Sequence, residues 1–132
     1  KQASEFWHGL LEEVKDYKGI ILLENIFEET PQMLHELLME IDHHRIKINL
    51  DIGHAKLGRV DIEDWIRVLK DYISYIHIHS NNGDFDNHMS PEDHELDDLK
   101  LLLDKYDINP ILSLEYKVDD LFNCVNRYDI FR

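Results

Sequence analysis

IKINLDIGH, residues 46–54, decides the fold. Ile48 and Leu50 alternate with Asn49 and Asp51, the period-two pattern of a strand with one apolar and one polar face. The polar face ends on a carboxylate. Three other apolar runs close in the same way: IILLE at Glu24, YIHIH at His79 and ILSLE at Glu115. Three carboxylates and one imidazole at the ends of four strand-like segments form a divalent-metal ligand set. The carboxyl ends of parallel strands are also where α/β enzymes carry their chemistry.

Outward from these runs the periodicity switches to helical. SEFWHGLLEEVKDY puts Phe6, Leu10, Val14 and Tyr17 on one stripe, with Ser4 as the expected N-cap and Gly19 as the stop. TPQMLHELLMEID restarts a helix with Thr30 as N-cap and Pro31 at the first helical position. Asp61 caps IEDWIRVLKDY, whose Ile62, Trp65, Ile66 and Leu69 face a core. A polar loop is expected from Asn81 to Glu95, then the helix LDDLKLLLDKY, the fourth strand, and a closing helix over Val118–Tyr128. The order is βα four times over, preceded by one helix, which implies parallel strands joined by right-handed crossovers.

On the third run Ile76 and Ile78 oppose Tyr75, His77 and His79, and on the fourth Leu112 and Leu114 oppose Ser113 and Glu115. A doubly wound sheet would be apolar on both faces. One apolar face, with the other turning polar toward the strand ends, suits a barrel whose mouth holds a site. Closing a filled barrel takes about eight strands. Four leave two unpaired edges, so the chain reads as half a barrel that associates through those edges, with a second copy or with the missing half. It begins at Lys1 with a helix that would follow an absent strand, and a piece of a longer polypeptide is the expectation.

Composition agrees with one domain over residues 1–132: 43% of the residues are hydrophobic, and no apolar run approaches the roughly 20 residues of a membrane span. The lone Cys124 sits at helical spacing in LFNCV, which permits no intrachain disulfide and suggests a buried, inert thiol in a reducing, cytoplasmic compartment. The 28 acidic against 14 basic residues, net −14, argue against nucleic acid as a partner. The basic residues are scattered along the chain, the densest group being Lys56 and Arg59.

The order LENIFEE, LDIGH, HIHSNNGDFDNH and SLEYK, which covers nearly the whole chain, resembles the carboxyl-terminal half of the xylose isomerase-like (β/α)8 TIM-barrel superfamily. That superfamily holds sugar isomerases and epimerases and the AP endonuclease family 2 proteins. The resemblance implies a metal site at the barrel mouth with Glu24, Asp51, His79 and Glu115 as ligands, and places His54 against substrate or a further metal. Asp86 and His88 match the Asp-x-His pair of members that hold several zinc ions. PEDHELD, residues 91–97, departs from the glycine-rich turn that relatives tend to have there, which puts the shape of the substrate loop in question.

Ligand chemistry alone admits Mn²⁺, Mg²⁺, Co²⁺ or Zn²⁺. An ion chelating a ketose carbonyl and its neighbouring hydroxyl would acidify the adjacent C–H. Glu24 and Glu115, from the first and last strands, could then remove and return the proton, while His54 hydrogen-bonds a substrate oxygen. The expectation is therefore a metal-dependent sugar or sugar-phosphate isomerase or epimerase. The alternatives are a zinc-dependent AP endonuclease-like phosphodiesterase and an inactive, metal-binding half-barrel. Lys117, just past Glu115, is a candidate substrate-binding residue at the mouth. His77, one pleat deeper than His79, is expected to be a packed, hydrogen-bonded core histidine, and His8, His35, His43, His44 and His94 to lie on helix surfaces or ends. Glu28 and Glu29 read as loop acids, and Trp7 and Trp65 as core anchors.

Overall fold

The structure, a computed structural model, describes residues 2–132. Its centre is a sheet of four parallel strands in the order β1-β2-β3-β4, with β1 Ile21–Glu24, β2 Ile46–Asp51, β3 Ile73–Ile78 and β4 Ile111–Leu114. The helices are α1 Gln2–Glu13, α2 Gln32–Ile41, α3 Ile52–Lys56, α4 Ile62–Leu69, α5 Asp93–Lys105 and α6 Leu121–Arg127, followed by a 3₁₀ turn over Tyr128–Phe131. Each strand pairs with the next in sequence, giving a (β/α)4 half-barrel unit whose edges, β1 and β4, each have one neighbour.

The core lies on one face of the sheet. Ile46, Ile48, Leu50, Ile76 and Ile78 are buried there against Leu34, Leu38, Ile66, Leu69, Leu96 and Leu99 of α2, α4 and α5, with Trp65 fully enclosed. Each aliphatic side chain so buried contributes about 1.5–3 kcal/mol, which is why these helices dock. Along the other face, Leu22, Lys47, Tyr75, His77 and Ser113 stay partly exposed. No helix among the described residues is long and apolar enough to cross a membrane.

One irregularity sets the geometry of the site. Ile48 pairs with Ile73 but Asn49 pairs with Tyr75, so Ser74 is an extra residue on β3. The bulge shifts register by one and brings Asp51 level with His77 and, across the next ladder, with Ser113. It also explains why the buried isoleucines of β3 fall at 73, 76 and 78 rather than in strict alternation.

Several boundaries differ from the sequence expectations. Ser4 lies buried inside α1 rather than capping it, and Pro31 rather than Thr30 occupies the N-cap of α2. β2 stops at Asp51, because the Asp51 carboxylate accepts the His54 N–H at 2.8 Å and starts α3, a turn of helix inside the run that reads as strand. α5 takes in the last three residues of the expected loop, where the Glu95 carboxylate accepts the Glu92 N–H at 2.8 Å. The closing helix is shorter than expected, since Asp120 caps it through the Asn123 N–H. Trp65 is a core anchor; Trp7 is half-buried at the core's margin. Cys124 is free and buried, 3.6 Å from the Tyr116 hydroxyl.

Candidate metal centre

Asp51 is the hub. Its side chain is fully buried, and its backbone is clamped by Asn25 at the end of β1: the Asn25 amide donates to the Asp51 carbonyl at 2.9 Å and its oxygen accepts the Asp51 N–H at 2.8 Å. Asn25 is itself 1% exposed, so this amide locks the ends of β1 and β2 together. Oδ1 of Asp51 lies 2.8 Å from His79 Nε2, while Oδ2 is buried with no hydrogen-bond partner.

His77 stands in the middle of a first set of donors. Its Nδ1 lies 3.0 Å from Glu115 Oε1, 3.3 Å from Glu24 Oε2 and 3.8 Å from Asp51 Oδ2, yet none of these oxygens meets it in hydrogen-bond geometry. It is therefore not the satisfied core histidine of the sequence reading; the bulge lifts it level with Asp51. Asn49 donates to Glu24 Oε2 at 2.7 Å and holds that carboxylate in place. Glu24, Asp51 and His77 offer ligand atoms all within 4.8 Å of one another, as do Asp51, His79 and Glu115. Donors that crowd together without bonding to each other are what a shared cation would satisfy.

A second set adjoins it. His54, His79, Asp86 and His88 also converge within 4.8 Å. His54 Nδ1 donates to the Asn25 carbonyl at 2.9 Å and His88 Nδ1 to the Glu115 carbonyl at 2.7 Å. A carbonyl only accepts, so both rings carry hydrogen on Nδ1 and turn Nε2 to the same oxygen, Asp86 Oδ2, at 3.1 Å each. In the neutral rings that presents two nitrogen lone pairs and a carboxylate to one point, an arrangement a divalent cation or added protons relieve. Burial opposes charge on His54, but Asp51, the Asn25 carbonyl and Asp86 outweigh it and raise its pKa. The Glu115 carbonyl bond, followed by Asp86, raises that of His88 against a smaller burial effect. Partial burial pushes the Asp86 carboxyl up, yet the three imidazoles around it bring it below its ordinary value.

The loop carrying Asp86 and His88 is tied at its base. Ser80 and Met89 form an antiparallel bridge, Asn81 donates to the Gly53 carbonyl at 2.7 Å, and Lys56 bonds Ser80 Oγ at 2.9 Å and Glu95 at 2.7 Å. His88 holds a left-handed backbone, φ +44°, strain of the kind found at functional sites. Gly53 is required for packing: a Cβ there would fall 2.0 Å from His79 Cε1. The glycine of LDIGH thus makes room for a ring that stacks on His88 at 4.1 Å and meets His54 edge-on.

Of the candidate residues, the structure brings together Glu24, Asp51, His54, His79, Asp86, His88 and Glu115. Lys117 stays apart, 87% exposed and paired with Asp119. Glu28 folds back on the Ile26 and Phe27 amides, and Glu29 pairs with Arg59. The clusters are of the kind that can hold a divalent metal ion.

Among solved structures, a D-tagatose 3-epimerase-like protein is 26% identical, with a TM-score of 0.74 over 96% of this chain and 51% of that one. A 3-keto-D-glucoside 4-epimerase from E. coli shares the fold at 14% identity, with a TM-score of 0.69 over 98% of this chain and 51% of that one. An uncharacterized protein of Methanocaldococcus jannaschii is 37% identical over 84 residues, 61% of this chain and 33% of the relative. The chain spans a third of that relative and about half of the solved structures. The family model for the xylose isomerase-like TIM barrel matches residues 1–129, and the chain belongs to that family.

Proposed function

We propose that this chain carries half of the active site of a metal-dependent sugar or sugar-phosphate isomerase or epimerase. The observation that carries the reading is the convergence of Glu24, Asp51 and Glu115 on His77 at the carboxyl ends of four parallel strands. Glu24, Asp51 and Glu115 would hold one ion with His77, and His79 stands between this set and the His54, Asp86, His88 set. A divalent ion held there would supply polarisation of a ketose carbonyl and the neighbouring hydroxyl. Glu24 and Glu115 come from opposite edges of the sheet and reach the same imidazole, so one removes the proton α to the carbonyl and the other returns it. The likeness to a D-tagatose 3-epimerase-like protein at 26% identity supports the substrate class. The unpaired β1 and β4 edges favour completion by further strands, from a second copy or from the other half of a longer chain.

The loop cluster of His54, Asp86 and His88 supports a second reading, an AP endonuclease-like phosphodiesterase with several zinc ions; the net charge of −14 weighs against a polyanionic substrate. Elemental analysis of the chain alongside Glu24→Gln, Asp51→Asn, His77→Ala, His79→Ala and Glu115→Gln tests both. One tight ion lost in the carboxylate variants and in His77→Ala, with turnover of a ketose by the barrel-length protein, upholds the isomerase reading. Two or three zinc ions sensitive to Asp86 and His88 favour the hydrolase. An ion without turnover in the barrel-length protein leaves a binding site only.

A further inference from the structure

The end of the sheet opposite the metal clusters gathers positive charge that is dispersed in the sequence. α1 ends at Glu13 and the chain turns through Lys15 and Lys18 into β1; α2 ends at Ile41 and the chain turns through His43, His44 and Arg45 into β2. β1 and β2 are neighbours, so the two turns lie side by side. With His8 of α1 they line a concave pocket of ≈ 570 Å³. That falls within the range of about 300–1,000 Å³ usual for small-ligand sites. Among the described residues, Glu12 is the one carboxylate in its wall, and it is engaged by Lys15 at 2.6 Å.

Arg45 is the built element of this pocket. It is 9% exposed, its Nε donates to the Gly19 carbonyl at 2.9 Å and its Nη1 to the Val14 carbonyl at 3.1 Å. Nη2 is buried and has no acceptor. A charged donor in that state calls for an acceptor. The exposed Lys18 and His44 stand at the rim, and Lys18 has no ionic partner among the described residues. His43 and His44 stack at 4.7 Å, two groups that repel when charged. Burial lowers the pKa of His43, and His44, Arg45 and His8 beside it lower it further.

We propose that this pocket binds a small oxyanion of the phosphate class, free or carried on a metabolite, at the amino-terminal end of the sheet and apart from the metal clusters. The cationic groups come from α1 and from two separate turns, an arrangement that suits a tetrahedral oxyanion better than a planar carboxylate.

Titration of the chain with inorganic phosphate, with citrate and a hexose phosphate as comparisons, tests this through amide chemical shifts. The expected result is saturable binding with shifts confined to the turns at residues 14–20 and 43–46. Lys18→Glu should weaken it about tenfold, ~1.4 kcal/mol, and His44→Ala by a smaller factor. Both positions are exposed, which keeps the test independent of any folding defect in an Arg45 variant. Glu24→Gln, which disables the first metal set, should leave phosphate binding unchanged. Tighter binding of the hexose phosphate would identify a metabolite-borne phosphoryl group as the source, and tighter binding of phosphate the free ion. No saturation by about 10 mM phosphate, citrate binding as tightly as phosphate, or shifts that vanish in Glu24→Gln would each overturn the proposal.

Discussion

The two donor sets at the strand ends are neighbours built on different supports. The first, Glu24, Asp51, His77 and Glu115, rides on strands or, for Glu115, on the residue just past one, fixed by ladder register, a bulge and the Asn25 and Asn49 amides. The second takes Asp86 and His88 from a loop that is held at its base and strained at His88, with those side chains 32% and 44% exposed. A site on a sheet inherits the sheet's precision, whereas a site completed by a loop can be assembled or released separately.

The change expected to act most strongly is Asp51→Ala, because this buried carboxylate touches both sets. Metal affinity should fall about 100-fold or more at each, measured by competition with a chromophoric chelator. Loss at one set alone would separate centres that Asp51 is expected to join. Gly53→Ala comes next. Its methyl group collides with His79, so a thermal melt should show a loss of about 1–3 kcal/mol, with metal at the loop set weakened more than at the strand set.

Protonation offers a subtler separation in metal-free protein. The raised imidazoles of His54 and His88 stabilise the loop fully below the ordinary histidine value of about 6.5, and that contribution disappears as pH rises through their folded values. Asp86 has a depressed pKa, so its share is present above the ordinary carboxylate value and is lost as pH falls through the folded one. Hydrogen exchange at residues 83–89 should therefore be slowest, after correction for intrinsic rates, in mildly acidic solution. It should quicken toward alkaline pH, while metal binding strengthens as the rings deprotonate. A loop equally protected on both sides of that window would mean that these ion pairs do not order it. The smallest effect belongs to Lys117→Ala, which should change metal affinity less than about twofold, since its exposed pairing with Asp119 is of the weak surface kind.

Alternation and run endings made the sheet, its polar face, and Glu24, Asp51 and Glu115 legible from the sequence. Distance from the end of its run puts His77 one pleat too deep, whereas position in a sheet is set by pairing. The spacing of Ile73, Ile76 and Ile78 signalled the extra residue at Ser74, but only pairing with β2 turns that signal into a height. Asn25 carries no pattern and Asn49 only its place on the polar face, since an amide's role depends on the strand beside it. The basic pocket was hidden for the same reason: Lys18 and Arg45 meet because two parallel strands start side by side.

The sheet order has a consequence for how the site forms. Each βα unit contributes at least one donor to the first set, and the four donors belong to successive strands whose outermost members never touch each other as strands. Glu24 and Glu115 become neighbours only after every intervening unit has docked in register. An ion that requires both therefore reports completion of the whole sheet, and its binding free energy is shared by all three ladders rather than by the residues that hold it. Metal-dependent protection from unfolding should accordingly spread evenly from β1 to β4, making the ion a cooperative clasp across the chain.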